Sequence, residues 1–121
     1  MEQSEAEWNI EDWRDEIDRV DELLIELLNR RSHCAIEIGR IKRELGLPVY
    51  MPDRETEVIN HVISLNGGPL DRAAVRRLFE RIIDESRRIE RVTVEKEKEE
   101  RDRSQSESAD GAAEEHGSGG Q

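Results

Sequence analysis

Residues 10–45 read IEDWRDEIDRVDELLIELLNRRSHCAIEIGRIKREL, with no proline anywhere in the stretch. Apolar side chains recur in it at helical spacing: Ile10, Trp13, Ile17, Val20, Leu24, Leu27, Leu28, Ala35, Ile38, Ile41 and Leu45. Gly39 is the first glycine, and Gly46 with Pro48 ends the pattern. One helix over this span would be about 55 Å long at 1.5 Å per residue. A chain of 121 residues has no core of that length, so something else must cover much of the stripe. A second copy of the chain is the simplest cover.

Outward from this stretch the pattern stays helical. Leu47 to Pro52 reads as a short extended loop bounded by prolines. A second helix is expected from near Asp53, carrying Val58, Ile59, Val62 and Ile63, and Asn66-Gly67-Gly68-Pro69 stops it. Asp71 can cap a third, which carries Val75, Leu78, Phe79, Ile82, Ile83 and Ile89. From about Glu95 the sequence EKEKEERDRSQSESADGAAEEHGSGGQ has no apolar period. The expectation is therefore an all-α chain of three helices, with a helical domain over 1–94 and a charged, disordered tail over 95–121. The tail reads as a solubilising segment, with a docking segment as the alternative, and truncation after Thr93 is expected to leave catalysis nearly unchanged.

Charged residues make up 40% of the chain and aromatic ones 3%, which suits long helices with charged outer faces rather than a sheet. The net charge of −11 argues against a nucleic-acid partner, which needs a basic surface. No run is apolar enough to cross a bilayer, and the acidic start carries no signal-peptide pattern, so a soluble, cytoplasmic protein is expected. Cys34 is the only cysteine and reads as a small core residue. His33, His61 and His116 show no metal-ligand spacing, and no nucleophile with a base is evident.

The informative residues are charged ones lying on apolar faces. Arg31 stands three after Leu28, four before Ala35 and seven before Ile38. Lys42 is four after Ile38 and eleven after Arg31, which puts the two cations within about 20° of each other on the helix wheel. Either alone could snorkel past the core edge or pair with an acid. Two on one face are harder to dismiss, because a buried unpaired charge is costly. Arg14 lies about 100° around the helix from Arg31, so it is an ordinary surface arginine or serves a neighbouring copy. Glu55 lies three before Val58 and seven before Val62, pointing inward, with Arg54 on its flank. Ser86 and Glu90 are four apart and continue the line of Phe79, Ile82 and Ile83. They read as one wall of a polar pocket, or as a helix end emerging into solvent. An enzyme built this way would act by electrostatics and by holding its substrate in shape.

The stretch WRDEIDRVDELLIELLNRRSHCAIEIGRIKRELGLPVYMPDRETEV, followed by LFERIIDESRRIE, closely resembles the all-helical (AroQ-class) chorismate mutases from about Glu11 to Arg91. The resemblance rests on Arg, Ile-Asp-x-x-Asp, a Leu-rich stretch, Arg, Ile-Gly-x-x-Lys, Pro-Val and Arg-Glu in that order. It implies an isomerase that rearranges chorismate to prephenate on the way to phenylalanine and tyrosine, without a cofactor. It also implies an intertwined homodimer of three-helix subunits, with two sites each built from both chains. By position, Arg31 would bind one substrate carboxylate and Arg14 of the other subunit the second. Lys42 would sit against a carboxylate and the breaking ether oxygen, and Arg54 would support the cationic site. Glu55 would accept from the ring hydroxyl, Ser86 would help anchor a carboxylate, and Glu90 would face the ether oxygen. This chain has Met51 where many relatives have Asp, and Glu90 where many bacterial relatives have Gln. The alternatives are an isochorismate pyruvate lyase with the same fold, and a non-catalytic helical interaction protein.

Overall fold

The computed structural model describes residues 7–118, with side chains described through residue 108. Its elements are three helices, α1 over Ile10–Leu45, α2 over Pro52–Leu65 and α3 over Arg72–Ser118, with no strand among the described residues. No helix is long and apolar enough to cross a membrane. The chain resolves into two compact units, one ending at Cys34 and one beginning at Ala35.

The first unit is the opening part of α1, started by two local devices. Asn9 Oδ1 accepts from the Asp12 amide at 2.9 Å, while Asp12 Oδ2 accepts from the Asn9 amide at 3.0 Å. This reciprocal capping box satisfies two amides that the first turn leaves without partners. Trp8, just before the cap, packs on Trp13 with ring centroids 4.5 Å apart, which sets the entry angle of the chain. Apolar side chains of this unit stay largely exposed among the described residues: Leu24 is 49% exposed and Leu27 58%. Cys34 is exposed, not a core residue as expected. It sits one residue, and so about 100° of helix, from buried Ala35.

The second unit begins at Ala35, within α1. Its buried apolar side chains among the described residues are Ala35, Val75 and Ile83. The end of α1 is closed by Gly46 at φ 69°, a left-handed conformation that favours glycine. There the Leu47 amide reaches back to the Lys42 carbonyl at 2.7 Å and the Gly46 amide to Arg43 at 3.2 Å. Pro52 opens α2 at a position where its missing N–H costs nothing, one residue earlier than expected. Asp71 caps α3 as anticipated, its Oδ1 accepting from the Ala74 amide at 2.7 Å. Beyond residue 95 the expected disorder gives way to helix, since α3 continues to Ser118. Glu, Lys and Arg are good helix formers even where nothing apolar is buried. The side chain of His116 and residues 119–121 lie outside the described part.

Gly39 is buried on α1, and a Cβ built there would meet Glu90 Cγ at 3.2 Å and Cβ at 3.4 Å. The glycine is thus what lets α3 bring a carboxylate side chain against α1. Gly39→Val is expected to lower unfolding stability by about 1–3 kcal/mol, the usual cost of overpacking, despite removing a helix-weakening glycine. Denaturant melts check this, and an unchanged midpoint would show that Glu90 yields freely.

Candidate active site

The site grows from the last turns of α1 and the middle of α3, both within the second unit. Lys42 donates from Nζ to the Val49 carbonyl at 3.1 Å, which ties the loop after α1 back onto the helix. The same ammonium lies 4.0 Å from Glu90 Oε2, with only 16% of the Lys42 side chain and 8% of the Glu90 side chain exposed. That separation attracts the charges but is too long for a hydrogen bond. Glu90 Oε2 is buried and has no hydrogen-bond partner. Burial pushes the Glu90 carboxyl above the ordinary carboxylate value, and Lys42 opposes the shift without cancelling it. Glu90 therefore turns inward rather than out past a helix end. The pair presents a fixed ammonium beside a carboxyl that, once protonated, is also a donor. Two such donors suit a reaction in which negative charge develops on an oxygen.

A second cluster links α2 to α3. Arg87 Nε lies 2.9 Å from Glu55 Oε1, and its guanidinium sits over the Tyr50 ring at 5.0 Å. Both of those Arg87 and Glu55 atoms are buried without an angularly correct hydrogen bond, so the contact is an ion pair by proximity. Arg87 also pairs with Asp84 in its own helix. Sequence reading singled out Glu55 but not Arg87. The signal was present: Arg87 follows Ile83 by four and precedes Glu90 by three, on the same helix face.

The remaining expected residues are placed as follows. Ser86 is half-buried and its Oγ donates to the Ile82 carbonyl at 3.0 Å. Arg54 is exposed on the flank of α2 and pairs with Glu57 at 3.2 Å. Arg14 and Arg31 belong to the first unit, where Arg14 is exposed and pairs with Glu11 at 3.0 Å, and Arg31 is half-buried. The structure thus brings together Lys42 with Glu90, and Glu55 with Arg87. Among the described residues no group of three His, Cys, Asp or Glu side chains could hold a metal ion.

Comparison with known proteins narrows the class to which this all-helical chain with its buried Lys–Glu pair belongs. The family profile "Chorismate mutase type II" matches residues 13–91. The bifunctional chorismate mutase/prephenate dehydratase of Pseudomonas aeruginosa is 46% identical over 72 residues, covering 55% of this chain and 20% of that protein. The protein of the same description from Aquifex aeolicus is 37% identical over 78 residues, covering 61% and 22%. The chain thus spans about a fifth of the length of these relatives. A solved chorismate mutase from Thermus thermophilus (form II) superposes with a TM-score of 0.67 at 39% identity, covering 68% of this chain and 93% of that one. The chain belongs to the type II chorismate mutase family, the all-helical AroQ class of isomerases.

Proposed function

We propose that this chain rearranges chorismate to prephenate, a step toward phenylalanine and tyrosine, as a cytoplasmic homodimer that needs no cofactor. The observation that carries the reading is the buried Lys42–Glu90 pair within a chain of this family. Chorismate is a dianion whose reactive form is compact and diaxial. Arg31, and Arg14 from the other subunit, hold the two carboxylates in that geometry, because a guanidinium fork fixes a carboxylate in direction as well as position. As the ether bond breaks, negative charge grows on its oxygen. Lys42 and protonated Glu90 meet that charge, an interaction stronger in the transition state than in the bound substrate. Arg54 adds positive potential, Ser86 helps anchor a carboxylate, and Glu55 accepts from the ring hydroxyl. Residues 1–94 carry all of these contacts, with the stretch 95–121 outside them. Purified protein should consume chorismate and form prephenate. Consumption of isochorismate instead, with release of pyruvate, would favour the lyase, and loss of neither would leave a binding protein.

The exposed stripe of α1 supports the dimer, since apolar side chains such as Leu24 and Leu27 are about half exposed among the described residues. The midpoint of unfolding should therefore rise with protein concentration. Mixing Arg14→Ala with Lys42→Ala protein should restore part of the activity, because a heterodimer then has one site with both defects and one with neither. A folded monomer at micromolar concentration, or no recovery after proven subunit exchange, would sink the shared site.

A further inference from the structure

Glu97 stands seven residues after Glu90 on α3 and six past Arg91, where the family match ends. Two turns of helix, about 10.5 Å, separate the two acids along the axis. Both carboxylate oxygens of Glu97 are held from α1. Oε1 accepts from Arg40 Nε at 3.0 Å and from Arg40 Nη2 at 2.6 Å, and Oε2 accepts from Arg43 Nη2 at 3.1 Å. Arg40 is braced in turn by Glu37 of its own helix. An isolated exposed ion pair contributes little. Here three charge-assisted bonds from two planar forks converge on one side chain, and such forks fix geometry as well as attract. The hydrogen bond from Arg40, then that from Arg43, holds the Glu97 carboxyl below its ordinary value. The clasp therefore stays charged at neutral pH.

The two arginines flank the catalytic lysine. Arg40 directly follows Gly39 and precedes Lys42 by two, and Arg43 directly follows Lys42. The stretch of α1 that Glu97 grips is thus the one that offers Gly39 and Lys42 to Glu90. A helical extension that was merely solvated would need no such grip.

We infer that Glu97 is a positioning residue, whose clasp on Arg40 and Arg43 sets the register of α1 against α3 and so keeps Lys42 beside Glu90. The inference rests on the reading of Lys42 and Glu90 as the catalytic pair. It carries the working unit past residue 94, and it reverses the expectation that everything after Thr93 is dispensable.

The test uses the full chain, with Glu97→Ala and the milder Glu97→Gln compared with wild type. Two readouts are taken: kcat and KM for chorismate, and an NMR pH titration of the Glu90 carboxyl in the free protein. Without the clasp, Lys42 draws back and Glu90 loses the cation that lowers its pKa, so its titration should move to higher pH. In Glu97→Ala, kcat should fall about fivefold with KM nearly unchanged, and Glu97→Gln should fall between that variant and wild type. Adding Arg40→Ala to Glu97→Ala should cost little more, because the shared contact is already lost. A general loss of stability would lower the amount of folded protein without moving the Glu90 titration. Unchanged titration and kcat in folded Glu97 variants would overturn the inference while leaving the mutase reading intact. Should wild type fail to turn over chorismate, the mutase reading falls, and the Glu90 titration alone decides the role of Glu97.

Discussion

Lys42→Ala is expected to lower kcat by about 10²–10³-fold while moving KM far less. Removing one preorganised donor from a developing oxyanion typically has that cost, about 3–4 kcal/mol of barrier. The present geometry supports the upper part of the range. The ammonium is largely buried, is fixed by the Val49 carbonyl at 3.1 Å, and lies 4.0 Å from the second donor candidate, Glu90. An interaction of this kind strengthens as charge leaves the ether carbon for oxygen, so its loss appears in kcat. Arg31→Ala should behave differently and damage both constants, because the carboxylate contact proposed for it would be made in the bound substrate too. Lys42→Met, which keeps the length of the side chain, separates loss of charge from loss of packing and should be nearly as slow as Lys42→Ala. Equal effects of the Lys42 and Arg31 substitutions, confined to KM, would remove Lys42 from the chemistry.

Glu90→Gln should abolish most of the pH dependence of kcat, and this is the second large effect. The Glu90 carboxyl is raised above the ordinary carboxylate value chiefly by burial, with Lys42 pulling it back. The two carboxylates of the proposed substrate, once bound, would favour its protonated form further. If protonated Glu90 donates to the ether oxygen, kcat is full below its pKa in the complex and falls as pH rises through it. Each unit above costs about tenfold, or roughly 1.4 kcal/mol. Gln donates without titrating, so Glu90→Gln should flatten that limb and exceed wild type at high pH. Folding stability carries a related signature. The native state holds the Glu90 proton at a pH where the unfolded chain has released it, so stability declines as pH rises from the ordinary carboxylate value through the raised one. A Gln variant with the wild-type profile would take Glu90 out of the mechanism.

Glu55 shows where legibility in the sequence stopped. Its place on the Val58 and Val62 face announced an inward carboxylate, and the structure has it partly buried. Its partner Arg87 comes from another helix, 32 residues further on (87 − 55), and no spacing rule joins them. Helical periodicity indicates a direction in space but not what packs there. Arg40 and Glu97 repeat the case, with the added difficulty that a run of alternating charges looks the same clasped or solvated.

Features that act over one or two turns were legible in the chain before any packing was known. The span of α1 followed from its 3.6-residue period and an absence of proline, and its closure from Gly46, the residue suited to a left-handed end. The stop at Asn66 and the Asp71 cap are equally local, because each is a hydrogen bond or a backbone preference within a few residues. The fate of Glu90 was decided only by tertiary structure. The helix wheel left it free to line a pocket or face water. Burial of a carboxylate depends on what opposes it, and here that is Gly39 and Lys42 on a different helix. A missing Cβ at Gly39 makes room, and an ammonium offsets part of the desolvation cost that would otherwise drive the acid outward.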